Sequence, residues 1–401
     1  MERALTLVLL AAVLVSGCIS GSDKPAVNPL AAEAGATGTN QPAPWPFGPA
    51  REERSTYEMI TEKERALLPE CSDAMLTLPP VDLGRITAIE PIGSSNPPEH
   101  TLASSSTDTY IAVDTQNTES TVPLYAPGKI WITVIQPRYG VTQDPEDHVI
   151  HYALCRDVFG IVDHVKSFSP EMMKIVENYK CPYGGTPGDS RCPILLLEPV
   201  EAGTKLGEVG RKQGNFNFGT WDLRHTNNFV NPARYGVRSL HSTCPFGYYS
   251  SPLREQLAGM LDREDRDCGT VEYDVPGTLQ GEWFYNNATN RMRGDWFNQL
   301  FLGYSNRLPE AAVISVGGVI SEPIKWMFVP EKSGTRNAGF ETVSGSGIYC
   351  YESDRSYWNY EKGPGGRIII QLISPQKLRI EHQQGTCSGA YSFASPKIYE
   401  R

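Results

Sequence analysis

Short runs of β-branched and aromatic residues, each cut off by glycine, proline, asparagine or serine, dominate this 401-residue chain and leave little room for long helices. Thr109 to Val113, Lys129 to Gln136 and His148 to Arg156 read as strands, with Ile194 to Leu197 as a short buried one. A second series follows: Ala312 to Val316, Trp326 to Val329, Gly347 to Tyr351, Arg367 to Leu372, Leu378 to Glu381 and Tyr391 to Phe393. The 37 glycines and 31 prolines supply the turns between them. Helix starts are few. Ser55-Thr56-Tyr57-Glu58 has the form of a capping box opening a helix to about Leu68. Ser169-Pro170-Glu171 puts an N-cap, a first-turn proline and an acid in order, predicting a helix to about Tyr179. Ser251-Pro252 opens a third, with Leu253, Leu257 and Leu261 at spacing four. The expected fold is mainly β with a few short helices, in two parts: residues 55–242, and a β-rich part, 243–401, forming a sandwich or small barrel. No fixed-period repeat is visible.

The first residues address location. An apolar run, Ala4 to Val15, follows Arg3 and is too short to cross a bilayer as a helix. It leads into Val15-Ser16-Gly17-Cys18, which resembles the lipobox of prokaryotic lipoproteins. That resemblance implies a signal peptide over residues 1–18, lipid on Cys18, and a protein anchored to membrane lipid outside the cytoplasm. Residues 19–54, rich in Ala, Gly, Pro, Ser and Asn, read as a flexible tether.

Export makes the cysteines readable. Nine are present, so eight remain beside Cys18, an even number that allows up to four disulfides. Cys181 and Cys192 bracket a Gly- and Pro-rich turn and are the best local pair; Cys244 with Cys268 and Cys350 with Cys387 are further candidates. No Cys-x-x-Cys exists, which argues against a zinc ribbon or a thioredoxin-type site. The net charge of -10, with no basic stripe, argues against nucleic acid as a partner.

Three segments then occur in a telling order: Val122-Pro123-Leu124-Tyr125-Ala126-Pro127-Gly128-Lys129-Ile130, Gly160-Ile161-Val162-Asp163-His164-Val165, and Glu201-Ala202-Gly203-Thr204-Lys205-Leu206-Gly207-Glu208-Val209-Gly210 followed by Gly214-Asn215-Phe216-Asn217-Phe218. Together they resemble the lysostaphin-type zinc endopeptidases, which cut peptidoglycan cross-bridges, over roughly residues 85 to 225. The resemblance implies a β-structure of the duplicated-hybrid-motif type with a groove. It also implies zinc held by an early histidine, an aspartate four residues on, and the second histidine of a late His-x-His, with other histidines assisting the water.

The chemistry departs from that pattern. The late pair corresponds to Asn215 and Asn217, and an asparagine amide is a poor zinc ligand. His100 is the candidate early histidine, but Ser104 stands where aspartate is expected, and Asp108 lies four residues too far. Only His164 matches a histidine of the implied site. His148 and His151, three apart on a strand, point to opposite faces and do not chelate one ion unless the strand bulges.

Other motifs carry less. Asp262 to Asp267 lacks the spacing of a calcium loop and reads as a solvated helix end. Asn287-Ala288-Thr289 fits the glycosylation acceptor pattern. No nucleophile elbow or phosphate-binding loop is present. Gly281-Glu282-Trp283-Phe284 is similar to the opening of lipocalin-like barrels, with Arg379 as the candidate arginine over the Trp. Trp326, Tyr349, Tyr351, Tyr357, Trp358 and Tyr360 are candidates for a ligand mouth.

The sequence therefore points to an envelope-anchored, disulfide-braced pseudoenzyme without a cofactor, whose groove, with His164, Asn215 and Asn217, binds or scaffolds a cell-wall, glycan or surface-protein partner. An active zinc hydrolase with rearranged ligands (His100, Asp108 and His164) is the first alternative. A structural surface protein that binds a small apolar ligand is the second.

Overall fold

The alternation of apolar and polar residues between Ile86 and Thr243 builds an antiparallel sheet. Its strands are β1 (Ile86–Glu90), β2 (Asp108–Val113), β3 (Val122–Tyr125), β4 (Ile130–Pro137), β5 (His148–Ala153), β6 (Val158–Phe168), β7 (Ile194–Val200), β8 (Lys205–Val209), β9 (Asn215–Asp222) and β10 (Ser242–Thr243). The order is β1-β2-β9-β6-β5-β4-β7, with β10 on β9 and β3 joined through β8 to β6. The computed structural model describes residues 60–137, 147–179, 194–291, 295–354 and 364–401. The expected signal peptide with Cys18, the expected tether, Cys181 and Cys192 lie outside these residues.

β6 sits between β5 and β9, buried along nearly its whole length. One face of the sheet carries the main core, in which Ile111, Leu124, Ile132, Ile150, Val162 and Phe216 pack together. The other face is smaller, with Val149, Phe159, Ile161 and Trp221 buried beneath Leu68. The expected boundary near 243 falls at the end of β10, but Phe246, Tyr249, Leu257 and Leu261 beyond it still pack into the first sheet's core.

Local signals set the helices. Pro170–Asn178 starts at Ser169, whose hydroxyl accepts the Met172 N–H at 3.2 Å, and ends before Tyr179 as its sequence predicts. The first described helix is Glu62–Arg65, with a capping box of Thr61 and Glu64, and the expected start at Ser55-Thr56-Tyr57-Glu58 lies outside the described residues. Leu253–Ala258 is also short; Leu257 and Leu261 are buried, as their spacing requires.

A second antiparallel sheet follows: β11 (Gly281–Tyr285), β12 (Gln299–Tyr304), β13 (Ala312–Val316), β14 (Ile324–Phe328), β15 (Ile348–Tyr351), β16 (Arg367–Ser374), β17 (Lys377–Gln383) and β18 (Lys397–Glu400). Neighbours in sequence pair throughout except β14 and β15, and β11 pairs with β18. The meander thus wraps into a half-barrel whose one seam runs between β14 and β15. That seam is partly drawn together, since Met327 O accepts the Asp354 N–H at 2.7 Å.

Strand alternation divides the half-barrel's residues between two cores. Trp283, Leu300, Leu302, Ile314, Trp326, Phe328, Tyr351, Ile370 and Tyr399 pack inside it. Phe284, Phe301, Val313 and Met327 point out and share a core with Ile92, Leu102, Ala103, Phe229 and Tyr235 of the preceding chain. The two sheets therefore meet through buried apolar surface. Trp326 and Tyr351, expected at an exposed mouth, are instead fully buried, because the even–odd register of β14 and β15 turns them inward. Tyr357, Trp358 and Tyr360 lie outside the described residues.

Trp283 is fully buried in the half-barrel core and donates to Leu279 O at 2.9 Å. Its cationic partner is Arg401, 4.3 Å from the ring centroid, rather than Arg379. Arg401 also donates to the carbonyl oxygens of Gln280, Thr278, Val275 and Pro375 at 2.8 to 3.1 Å. Arg379 lies over Phe393 at 4.4 Å instead, on the outer side of β17.

Among the described residues three disulfides are formed: Cys71–Cys155, Cys244–Cys268 and Cys350–Cys387. The first was not legible from spacing, since 84 residues separate its ends.

Candidate functional site

Cross-strand register lays a polar row across the smaller face of the first sheet. Tyr110 on β2 faces Asn217 on β9, which faces Asp163 on β6. Two residues along, on the same face, a second row runs Asp108, Gly219, Ile161, His151. Gly219 is required there, because a Cβ would stand 2.1 Å from Asp108 Oδ1. Asn215 continues the face at its edge, opposite Ala112.

The sequence candidates fall at different places on this surface. His100 reaches it from the segment before β2: its Nε2 lies 3.0 Å from the Tyr110 hydroxyl and its Nδ1 3.1 Å from Ser105 O. Asp108 is buried and held by Arg238, whose Nη2 donates to both carboxylate oxygens at 2.8 and 2.9 Å. The same guanidinium lies 5.7 Å from the Trp221 ring. A carboxylate so engaged is a poor candidate for a metal. Asn217 is buried, and its Oδ1 has no hydrogen-bond partner among the described residues. Asn215 is half-buried.

His164 sits apart, at the bulge where β5 and β6 shift register. Its φ of +68° lies in the left-handed region, uncommon for a side chain of this size. The turn directs its ring to Asp147: Nδ1 is 3.0 Å from Oδ2, and its own N–H donates to Asp163 Oδ1 at 2.8 Å. Lys166 Nζ, fully buried, lies 3.2 Å from Asp147 Oδ1 and donates to Gln213 at 3.1 Å. Asp147, Asp163 and His164 are the one described group with donor atoms close enough to share an ion, within 4.8 Å of one another. His100 and Asp108 are not among them.

The sequence reading missed Asp147, Asp163 and Lys166. The signal was present: Val158-Phe159-Gly160-Ile161-Val162-Asp163-His164-Val165-Lys166 sets an acid, a histidine and a lysine inside an otherwise apolar strand, and charges so placed must find partners. His148 and His151 have separate surroundings, His148 against Phe168 at 4.7 Å and His151 edge-on to Trp221 at 6.2 Å.

These residues do not fit the zinc site the resemblance implies. The position of its late ligand holds Asn217, the position of its aspartate holds Ser104, and Asp108 is already paired. The Asp147–Asp163–His164 group has a different difficulty. A buried ammonium already neutralises one of its two carboxylates, and a dication would have to sit against that charge.

No protein-family model matches the chain, and no curated protein matches it. Among solved structures, Helicobacter pylori Csd3 from a hexagonal crystal matches at 14% identity, TM-score 0.25, over 44% of this chain and 34% of that one. Csd3 from an orthorhombic crystal matches at 12% identity, TM-score 0.23, over 46% and 39%. Both scores are too low to carry an argument about fold, and the matched region spans well under half of the Csd3 chain.

Proposed function

We propose that this is a lipoprotein, anchored through Cys18 to the cell envelope, whose first sheet is a catalytically degenerate peptidase-like surface that binds or scaffolds a cell-wall, glycan or surface-protein partner. The observation that carries this reading is the row Tyr110–Asn217–Asp163, in which an asparagine occupies the central position on the sheet face. That asparagine is buried, with its Oδ1 unpartnered among the described residues, and it lacks the nitrogen donor that a water-activating zinc needs. A lipid anchor and a tether raise the effective concentration of such a surface near its polymer, so a weak site suffices.

The test is co-sedimentation of the purified protein with isolated wall and surface polymer. Binding without release of soluble fragments, weakened by Asn217→Ala, is expected. Release of fragments that stops in His164→Ala would overturn the reading. That outcome would favour the second one, a metal-dependent hydrolase with rearranged ligands, for which the closeness of Asp147, Asp163 and His164 is the supporting observation.

A further inference from the structure

Glu282 lies on β11 with no solvent exposure, at the point where the half-barrel meets the first part of the chain. Ser104, 178 residues earlier, donates its backbone N–H to Oε1 at 2.7 Å and its hydroxyl to Oε2 at 2.5 Å. Asn290 reinforces the joint, its Nδ2 donating to Ser104 Oγ at 2.7 Å and to Ser239 Oγ at 2.9 Å. Ser239 in turn donates to Ser104 O at 2.8 Å. The short turn Ala103–Ser105 is thereby stitched to the half-barrel on several sides.

That turn leads to the polar face of the first sheet. Ser105 O is 3.1 Å from His100 Nδ1, and His100 Nε2 is 3.0 Å from the hydroxyl of Tyr110, the neighbour of Asn217. A chain of direct contacts thus runs from Glu282 to the edge of the candidate site.

Hydrogen bonds from Ser104 and Tyr235 favour the Glu282 anion, while burial and the Asp274 carboxylate oppose it and outweigh them. Asp274, half-buried, accepts the Glu282 N–H at 2.8 Å and brings a second carboxylate close. Tyr235 lies beside it, with its hydroxyl held un-ionised by burial. The nearest cations are committed elsewhere: Arg401 to backbone carbonyls and the Trp283 ring, and Arg234 to the Phe284 ring and Ala288 O.

We propose that Glu282 is a proton-controlled latch: as the neutral acid it holds the half-barrel against Ala103–Ser105, and as the anion it loosens that turn and with it the His100–Tyr110 edge of the sheet face. Burial, with Asp274 adding to it, pushes the Glu282 carboxyl from its ordinary 4.5 up to about 8, against the opposing pull of the Ser104 hydrogen bonds. A carboxyl whose closed-state pKa is raised favours the closed state fully below pH 4.5. The preference falls about tenfold per pH unit as pH rises towards 8, and then levels off. The latch is independent of what the sheet face binds.

The test is hydrogen exchange of residues 92–106 in the purified protein from pH 5 to 9, corrected for intrinsic rates. The opening constant is expected to rise at least tenfold between pH 5 and 8 and then flatten, and Glu282→Gln is expected to vary less than twofold. His100 and Asp274 remain in the variant, so the difference isolates Glu282. Equal pH dependence in the two proteins, or a flat wild-type profile, overturns the latch. Should the variant fail to fold, a carbon-13 carboxyl titration of the wild-type protein decides. A Glu282 midpoint near 8 supports the proposal and one in the ordinary 4.5 range overturns it.

Discussion

Arg238 holds Asp108 from across the smaller face of the first sheet, with both carboxylate oxygens within 2.9 Å of one guanidinium nitrogen. Arg238 belongs to the short helix Val237–His241, and Asp108 opens β2, so the contact ties the chain leaving the first sheet back onto it. Removing the cation leaves a buried carboxylate, which also accepts the Thr107 hydroxyl at 3.1 Å, without the guanidinium that balances its charge. Arg238→Ala is expected to cost roughly 2–4 kcal/mol, read by chemical denaturation. Asp108→Asn combined with Arg238→Met is expected to cost less than Arg238→Ala alone, since neither charge is then stranded.

Arg401 makes the second prediction. It covers the Trp283 ring and donates hydrogen bonds to four residues' carbonyls. Arg401→Ala orphans several of those oxygens and uncovers the indole face, and is expected to lower stability by about 2–3 kcal/mol. Arg379→Ala, which removes only the arginine lying over Phe393, is expected to cost less than about 1 kcal/mol. Thermal melts of the two variants separate these roles.

The Cys71–Cys155 bridge spans 84 residues, including β1 to β5. Chain-entropy arguments give a bridge of that span about 4–5 kcal/mol of stabilisation. Cys71→Ser with Cys155→Ser is expected to lower the denaturation midpoint more than loss of Cys244–Cys268, which closes only 24 residues. Equal losses would show that strain or unfolded-state structure outweighs loop length.

What the sequence disclosed follows physical lines. Ala312–Val316 is a strand at the limits its β-branched run suggested, and Ser169-Pro170 starts a helix, because those signals are local. Lys397–Glu400, by contrast, is too short to stand out beside Tyr391 to Phe393, and its pairing with β11 and β17 makes it a strand. The site divides in the same way. Asn215 and Asn217 stand out in the sequence only through the resemblance, not through any local signal. The pairing of Asp108 with Arg238, 130 residues away, and the turn of His164 towards Asp147 depend on tertiary placement that no spacing encodes.

Zinc content separates the proposed metal-free binding face of the first sheet from a hydrolase. Protein purified without chelators and equilibrated with zinc would be measured by elemental analysis alongside His164→Ala and Asn217→Ala. Zinc far below one per chain is expected in all three. About one zinc per chain in the wild-type protein, lost in a folded His164→Ala variant, would contradict it.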